Sequence, residues 1–556
     1  MAIFDLTVPS DALHSTKLSH RRGSSDDCER EEDTLVLRSR IVAKKQKVVH
    51  LSRAEELPDD VWFRIMELAY SHHFPHCHTA DSMGADNPVR FTHVSRRFRA
   101  LGFGLPTIWS CVHVMQLFQG RRRGEVESLK QQLLLSGSRP LDVVFIWHGG
   151  ALAAATKTHR SLDTLMPSDS DDFAYYRDCW GLVLAQASRW RRFAFHSSFH
   201  GFASRFLTND VFGGDLSLPL LEHMDVYVDN DSEPEGEGDE VPQTWNLADL
   251  DAPHLTCFRA HRVQMQLNDI PHFMLTELVL HTHPDTDGTD TRDLVNLLNA
   301  MSDTLTTLVL CNTIFDEELF NEDLQDELGA LPHLKYLFLG DVGSIIDQNI
   351  VILQYLLDAA PHLLRLDIDS YTSVGYLCLD GAYPSVQIVG LNTHEEGANE
   401  DDEGYQSYGR SFLEMFPSLK HLILADDDCT AHMETLYDVS QEAAAADHQI
   451  CRWPSLEKLT LTSDSTWESP ESCQMLADFA SLRHELGRPL RVVEMRLDAF
   501  NDKTLKVLED GVADVKQIEE GLASQIDLSL SNKRWGTRDH DRPIIPVWEC
   551  GSSLEV

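Results

Sequence analysis

The sequence predicts an α/β protein in which parallel strands alternate with helices, preceded by a small helical unit. A six-residue frame, apolar-x-x-apolar-x-apolar, recurs twelve times between residues 141 and 495, with helical patterns between several frames. Upstream, two short amphipathic helical patterns occupy residues 57–101. Units that recur at roughly 20–37 residues and bury their apolar side chains against their neighbours are the signature of a solenoid.

The frames share apolar residues at their first, fourth and sixth positions. They begin at Leu141, Trp190, Leu221, Leu255, Leu275, Leu305, Leu334, Leu363, Val386, Leu419, Leu456 and Leu490. Seven have a proline two residues before the first apolar position, namely Pro219, Pro253, Pro332, Pro361, Pro384, Pro417 and Pro454. Proline suits the beginning of a strand, where no ladder donor is needed yet. Each frame therefore predicts a strand that points its three apolar side chains into the core.

Helical patterns lie between and beyond the frames. Residues 126–137 form a pattern that ends at Gly137, and others lie at 291–301, 345–360 and 471–486. We expect one further helix, at 501–522, to close the open end of the solenoid. The alternative is an open α/β sheet of unrelated parallel strands, but the recurring proline favours the solenoid.

The two N-terminal patterns place apolar residues at helical spacing. The first does so at Leu57, Val61, Ile65 and Leu68, and the second at Phe91, Val94, Phe98 and Leu101. Asp59 and Asp60 suit the first turn of a helix because its N-terminus carries partial positive charge. About 50 residues of small helices cannot bury all their apolar surface alone. A partner protein is therefore expected.

This segment resembles an F-box, the adaptor-binding module of SCF-type ubiquitin ligases. Leu57-Pro58 matches the family's opening Leu-Pro, Val94-Ser95-Arg96-Arg97-Phe98 matches its Val-Cys-(Arg/Lys)-x-Trp core, and Trp109 matches its closing Trp. Ser95 and Phe98 replace the usual Cys and Trp, and residues 72–88 lengthen the gap, as in F-box proteins of mushroom-forming fungi. The resemblance implies adaptor contact by Leu57, Pro58, Val61, Ile65, Val94, Ser95, Phe98 and Trp109. The alternative is an ordinary helical hairpin with a chance Leu-Pro.

The repeated frame resembles the LxxLxL strand of leucine-rich repeats. The Asn or Cys that normally follows is mostly missing and the repeat length varies, so we expect an irregular solenoid. Residues between the apolar positions should face away from the core and stack into rows. The predicted target-binding residues are Tyr336, Phe338, Arg365, Asp367, His421 and Lys458. The alternative is that an acidic loop or the C-terminal helix covers them.

The 556 residues exceed what one core usually serves, so several units are expected. We assign residues 1–50 to a disordered N-terminal segment and 51–115 to the F-box-like domain. Residues 116–500 form the leucine-rich-repeat-like solenoid, and 501–556 form a capping helix and tail.

The net charge of −42 lies in the C-terminal part, where residues 131–556 carry 28 Lys/Arg and 72 Asp/Glu. Such a field repels phosphate backbones, so nucleic acid is not an expected partner, and it favours a basic target protein. Simple solubility is the alternative explanation. Two acidic runs, 229–240 and 395–404, predict solvated loops.

No stretch of about 18 apolar residues predicts a membrane span, and the acidic N-terminus is not a secretory signal. The eleven scattered cysteines indicate reduced thiols, which favours the cytoplasm or nucleus.

The sequence contains one metal-like cluster and no recognisable catalytic motif. The cluster is His72, His73, His76, Cys77 and His78, and we interpret it as a polar loop because no second cluster completes a tetrahedral site. No HExxH, GxSxG, Walker or GxGxxG pattern occurs, so neither an enzyme nor a cofactor is predicted.

Two functions remain open. One is a substrate-recognition subunit that binds an SCF adaptor and, through it, cullin. The other is a leucine-rich-repeat scaffold for protein interactions with no ligase role.

Overall fold

The computed structural model describes residues 57–73, 89–115, 122–147, 171–197, 211, 216–228, 245–246, 250–261, 263, 265–266, 274–281, 291–311, 328–340, 346–370, 381–393, 415–424, 433, 436–438, 440–441, 453–461, 470–495 and 502–517. The predicted disordered segment 1–50, both acidic runs and the tail beyond 517 lie outside these residues. The chain divides into two compact units, residues 1–66 and 67–556, and each is described by itself.

The described part of the first unit is the beginning of helix α1 (Asp59–His73), as the sequence predicted. The amide of Trp62 donates to the carbonyl of Pro58 (3.2 Å), which begins the helical hydrogen bonding. Asp59 and Asp60 occupy the first turn, where the helix dipole favours acids.

The second predicted helix is two helices, α2 (Val89–Val94) and α3 (Arg96–Phe103). Ser95 between them is extended (φ −157°), and its hydroxyl accepts from the amide of Phe98 at 3.2 Å. Serine is a strong N-cap because its side chain replaces a missing helical acceptor, so the chain begins a new helix at this point. The break rotates Val94 away from Leu101, and the apolar face predicted across both residues is therefore wrong: Val94 is exposed and Leu101 is buried.

The second unit contains a parallel sheet whose described strands number 14. These strands are β1 (Cys111–Met115), β2 (Leu141–Trp147), β3 (Trp190–Ser197), β4 (His223–Val228), β6 (Cys257–His261), β8 (Glu277–His281), β9 (Thr307–Cys311), β10 (Tyr336–Gly340), β11 (Arg365–Ser370), β12 (Ile388–Thr393), β13 (His421–Leu424), β14 (Lys458–Leu461), β15 (Leu490–Met495) and β16 (Val512–Gln517). The short strands β5 (Trp245–Asn246) and β7 (Met265–Gln266) pair with each other. The fourth and sixth positions of all twelve predicted frames lie in strands of the large sheet, and in nine frames the first position lies in the turn just before the strand.

The helices of ten or more residues described alongside the sheet are α4 (Arg122–Leu135), α5 (Asp171–Leu184), α6 (Thr291–Ala300), α7 (Ile346–Ala359), α8 (Pro470–Glu485) and α9 (Asp502–Gly511). Each contributes side chains to the large apolar core formed by the frame residues. A small cluster on the opposite face contains only strand residues among those described. The spatial order of the strands follows the chain without reversal. Helices on one face and an unreversed order are the topology of a solenoid-like repeat and differ from a doubly wound sheet.

The recurring prolines lie in turns that lead into the strands. The amide of Leu334 donates to the carbonyl of Leu331 (3.2 Å), so Pro332 is the second residue of a four-residue turn. The same bond closes all seven proline turns, with donors Leu221, Leu255, Leu334, Leu363, Val386, Leu419 and Leu456. The residue before each proline is buried: Leu218, Ala252, Leu331, Ala360, Tyr383, Phe416 and Trp453. The repeat therefore begins one apolar residue before the proline.

The structure corrects the phase of the first predicted frame. Val143 and Phe145 enter the large core, whereas the sequence assigned Val144 and Ile146 to it. A register shift between Leu141 and Asp142 removes one residue from the frame. Residues 143–146 are all apolar, and such a continuous run has no alternation from which a phase can be read.

Two strands were missed at the ends of the sheet. β1 contains Val112 and Val114, the fourth and sixth positions of a thirteenth frame that begins at Trp109. The sequence had assigned Trp109 to the helical unit. At the other end, the predicted capping helix 501–522 is wrong beyond Gly511, because β16 continues the parallel sheet there. A Cβ atom on Gly511 would lie 3.1 Å from the carbonyl carbon of Ala480, so glycine allows α9 to pack closely against α8. Residues 518–522 of that prediction lie outside the described part.

A buried arginine links α8 to the turn that precedes β14. Arg483 donates from Nη2 to the carbonyl of Leu456 (2.8 Å) and from Nη1 to that of Trp453 (3.3 Å). Its guanidinium also lies 5.8 Å from the centroid of the Phe479 ring. Trp453 has a positive φ of 47°, a backbone conformation that side chains rarely adopt. Arg483 therefore stabilises an unfavourable turn through its carbonyl groups.

We expect Arg483→Met to lower the free energy of unfolding by about 2 kcal/mol, because it leaves the buried carbonyl of Leu456 without this charged donor. Urea unfolding followed by circular dichroism measures the change. Arg488→Met, at an exposed position just after α8, is the matched control. Equal midpoints for the two variants would contradict the role given to Arg483.

Candidate protein-interaction site

The sheet face opposite the large core carries the rows predicted from the sequence. The first row is Thr307, Tyr336, Arg365, Ile388, His421 and Lys458, and the second row is Val309, Phe338, Asp367, Gly390, Ile423 and Thr460. The register of β9 to β14 pairs each residue with its row neighbour, which confirms both rows. Every residue of the first row is half-buried and every residue of the second row is buried. A partner would therefore meet the first row.

Phe338 belongs to the buried part of this face. It packs with Val279, Val309, Cys311 and Ile423 in the small apolar cluster. Its ring lies over Gly340, where an added Cβ would approach the ring to 2.5 Å. The sequence predicted direct target contact by Phe338 and Asp367, but a partner would reach these buried side chains only after rearrangement.

Tyr336, Arg365 and Asp367 form a connected group on two adjacent strands. Arg365 donates from Nε to Asp367 Oδ2 (2.8 Å), and its guanidinium carbon lies 5.2 Å from the centroid of the Tyr336 ring. Burial raises the pKa of Asp367, while Arg365 and the Tyr336 hydroxyl oppose that rise. Burial also raises the pKa of Tyr336, and the neighbouring Asp367 adds to the effect. The tyrosine is therefore a neutral surface for the arginine to stack on.

A second polar group extends across β13, β14 and β15. His421 Nε2 lies 2.9 Å from Thr460 Oγ1, and the threonine hydroxyl donates to Glu494 Oε2 (3.1 Å). Because that hydroxyl has one hydrogen, His421 Nε2 must be the donor to Thr460. Lys458 Nζ also contacts Glu494 Oε2, at 2.8 Å. One buried threonine and one carboxylate thus fix the positions of both His421 and Lys458.

His421 is a neutral side chain in a positive local field. Burial, together with the charges of Lys458 and Arg365, lowers its pKa to about 3. The unprotonated Nδ1 is therefore an acceptor throughout the physiological pH range.

The residues predicted to bind the adaptor lie in different environments. On α1, Val61 (37%) and Ile65 (40%) are exposed, and Leu57 is half-buried beside an exposed Pro58.

In the second unit, Val94 is 64% exposed, Phe98 is half-buried and Ser95 caps α3. Trp109 is buried, donates from its indole nitrogen to the carbonyl of Gly102 (2.7 Å) and stacks on Phe103. Any effect of Trp109 on adaptor binding would therefore be transmitted through the packing of α3.

Sequence reasoning missed a buried group of titratable side chains on β3 to β8. The rings of His196, Tyr227, His261 and His281 follow one another along a third row, with centroids 4.4, 5.9 and 6.1 Å apart. Asp225 Oδ1 lies 3.8 Å from His261 Nε2. Extending the strand alternation one residue beyond each frame would have placed all four rings on this face.

The charged side chains beside these rings include one ion pair, between Arg259 and Glu277. Arg259 Nε donates to Glu277 Oε1 at 2.7 Å. Burial raises the pKa of Asp225 to about 6, although Arg259 opposes the rise. Burial lowers the pKa of His261 well below its ordinary value, and His281 and Arg259 lower it further. His261 is therefore a neutral ring, and its neighbour Arg259 is engaged in an ion pair with Glu277.

The metal-like cluster lies only partly within the described residues. His72 and His73 end α1, whereas residues 74–78 lie outside the described part of the chain. Within the described residues, no group of three His, Cys, Asp or Glu could hold a metal ion. Cys111, Cys179, Cys257, Cys311 and Cys473 are buried thiols. No helix in the described ranges is long and apolar enough to cross a membrane.

We expect Gly340→Ala to displace the Phe338 ring and to lower the free energy of unfolding by about 1–3 kcal/mol, since the new methyl group overlaps the ring. In a Phe338→Leu background the same change should have a smaller effect. Gly181→Ala on α5 meets no atom within 4 Å and should instead raise stability by about 0.5–1 kcal/mol. Additive effects in the double-mutant cycle would contradict the contact.

We expect His421→Asn to flatten the dependence of stability on pH. Between its ordinary pKa of 6.5 and the folded value of about 3, the unfolded chain binds a proton on His421 that the folded chain does not. Stability therefore falls as pH drops below 6.5, by up to about 1.4 kcal/mol per pH unit from this residue. Urea unfolding at pH 7.5, 6.5 and 5.5 measures the slope. The exposed His333 provides the control His333→Asn, and an identical slope in His421→Asn and wild type would contradict the expectation.

No protein-family model matches this chain, and no curated protein matches it. Its function is therefore inferred from its own residues and geometry.

Proposed function

We propose that this chain is the substrate-recognition subunit of an SCF-type ubiquitin ligase. The F-box-like segment binds the adaptor and, through it, cullin, while the leucine-rich-repeat-like sheet holds a target protein. The observation that carries the proposal is an exposed apolar stripe on α1, formed by Val61 (37%), Ile65 (40%) and Leu68 (41%). It directly follows the Leu-Pro that resembles the opening of an F-box.

The spacing of this stripe explains why it suits a partner. Val61, Ile65 and Leu68 lie at positions i, i+4 and i+7, which share one face of a helix. Helices that dock into a groove of another protein present apolar anchors at this spacing. Three large apolar side chains grouped on one exposed helix face indicate an interaction surface, whereas apolar residues exposed singly need no such explanation.

The α2–α3 segment supports the same assignment. Val94 is strongly exposed at the position of the motif's valine, and Phe98 is half-buried at the position of its tryptophan. Ser95 contributes by capping α3, which fixes the direction of the following helix. Ser95, which replaces the family's usual cysteine, therefore has a structural role as the N-cap of α3.

The proposed mechanism is proximity. The protein performs no bond chemistry and raises the effective concentration of its target near the ubiquitin-transfer subunits. The half-buried first row on the sheet is the proposed target surface, with Tyr336, Arg365, His421 and Lys458 as its polar and aromatic members. A repeat sheet suits this role because its row positions vary independently of the core leucines.

We expect Val61→Asp combined with Ile65→Asp to abolish co-purification with an SCF adaptor. Placing charge in a desolvated apolar contact commonly costs more than about 2 kcal/mol, or roughly thirtyfold in affinity. The matched control is Leu134→Asp on α4, which changes a leucine of still greater exposure outside the F-box-like segment.

Circular dichroism verifies that both variants remain folded. Adaptor binding that survives the α1 changes would contradict the assignment of these residues. A folded wild-type chain that binds no adaptor would instead favour the leucine-rich-repeat scaffold without a ligase role.

A further inference from the structure

Arg365 is held in an orientation that leaves its binding edge available. Its Nε donates to the buried Asp367, and its guanidinium carbon lies over the Tyr336 ring, 5.2 Å from the centroid. Among the described residues, neither terminal nitrogen of Arg365 has a hydrogen-bond partner, and the side chain is 26% exposed. The two terminal nitrogens of an arginine match the two oxygens of a carboxylate. An arginine already fixed by stacking and an internal hydrogen bond loses little further freedom on binding.

Lys458 provides a second cation on the same row. Its side chain is 34% exposed, whereas the partner Glu494 is 16% exposed and Asp367 is fully buried. The acids therefore lie beneath the cations, so an incoming group meets positive charge first. Between the two cations lies His421, whose pKa is lowered first by burial and then by the charges of Lys458 and Arg365.

The spacing of the cations sets the form of the ligand. Arg365 and Lys458 are three strand steps apart in the register, or about 14 Å at the usual spacing between strands. In an extended peptide, residues four positions apart are separated by about 13 Å and share one face. The residue midway between them would lie over Ile388 and His421, an apolar and a neutral side chain.

The net charge of the chain does not decide whether this ligand is acidic or basic. At physiological ionic strength, exposed charges are largely screened beyond about 8 Å. The charges within that distance of a ligand on the first row include the half-buried Arg365 and Lys458. A basic target, which the net charge alone favours, would place its cations against these two.

We propose that the first row binds an extended acidic segment of the target protein, with one carboxylate on the Arg365 fork and a second, four positions away, on Lys458. This deepens the target-binding half of the proposed function and rests on it, but does not depend on the adaptor assignment. The segment's middle side chain is apolar and contacts Ile388.

The test measures binding of a fluorescein-labelled peptide to the full chain by fluorescence polarisation. In the peptide, two glutamates four positions apart flank a leucine, and all other positions are serine or glycine. Arg365→Gln and Lys458→Gln should each weaken binding by about tenfold or more, because each removes one charged contact. Arg491→Gln, at an exposed arginine on β15 outside the first row, is the charge-matched control and should bind as wild type does. A peptide with glutamine in place of both glutamates should bind about tenfold more weakly as well.

Folding is monitored by thermal unfolding, since Arg365→Gln leaves Asp367 without its cation. Lys458→Gln keeps the test decisive if Arg365→Gln does not fold, because Glu494 is partly in water. Equal binding by Lys458→Gln and Arg491→Gln, or stronger binding of a peptide with lysines for glutamates, would overturn the inference. Peptide binding that is detected only after the acids of 395–404 are replaced by serine would overturn it too. In that case the first row would bind this acidic run of the same chain and not a segment of a target protein. Adaptor co-purification on the same preparations separates the two proposals: retained adaptor binding without peptide binding overturns this inference alone.

Discussion

The parallel backbone ladder, kept in register from strand to strand, is the constraint on which the rest of this structure depends. At each step from β4 to β15 the amides of two successive residues share one carbonyl of the preceding repeat, as Lys335 and Tyr336 do with Thr306 at 2.9 and 3.1 Å. A shift of one residue would move every leucine to the wrong face. The turn before the strand prevents that shift, because its hydrogen bond fixes where the first leucine of the frame enters the core.

The ladder also explains the chemistry of the opposite face. Residues at equal frame positions stack about 4.8 Å apart, so side chains from separate repeats meet although they are far apart in sequence. Tyr336, Arg365 and Asp367 form one group in this way, and His421, Thr460 and Glu494 form another. Threonines at the second frame position add hydrogen bonds to the ladder. The hydroxyl groups of Thr276 and Thr306 each donate to a backbone carbonyl of the preceding repeat.

Local charge arrangement differs from the net charge of the molecule. The described ion pairs on this face, Arg259 with Glu277, Arg365 with Asp367 and Lys458 with Glu494, neutralise one another within the sheet. A chain with a net charge of −42 can therefore present cations at its proposed target surface. The proposed adaptor surface relies instead on apolar contact, because it is formed by the exposed Val61, Ile65 and Leu68 of α1. The two proposed contacts of this protein thus differ in their physical basis.

The sequence by itself determined the positions of twelve strands, five of the helices and the rows that stack across the sheet. It could do so because leucine at fixed positions and proline at a fixed offset are local signals that every repeat carries. It could not determine which side chains of the continuous apolar run in β2 face the core. Nor could it recognise β16, because a glycine packed against α8 ends a helix that propensity alone would continue. Tertiary structure alone decided that Phe338 and Asp367 are buried while Arg365 and Lys458 remain accessible. Burial depends on which segments approach a surface from elsewhere in the chain, and no local pattern contains that information.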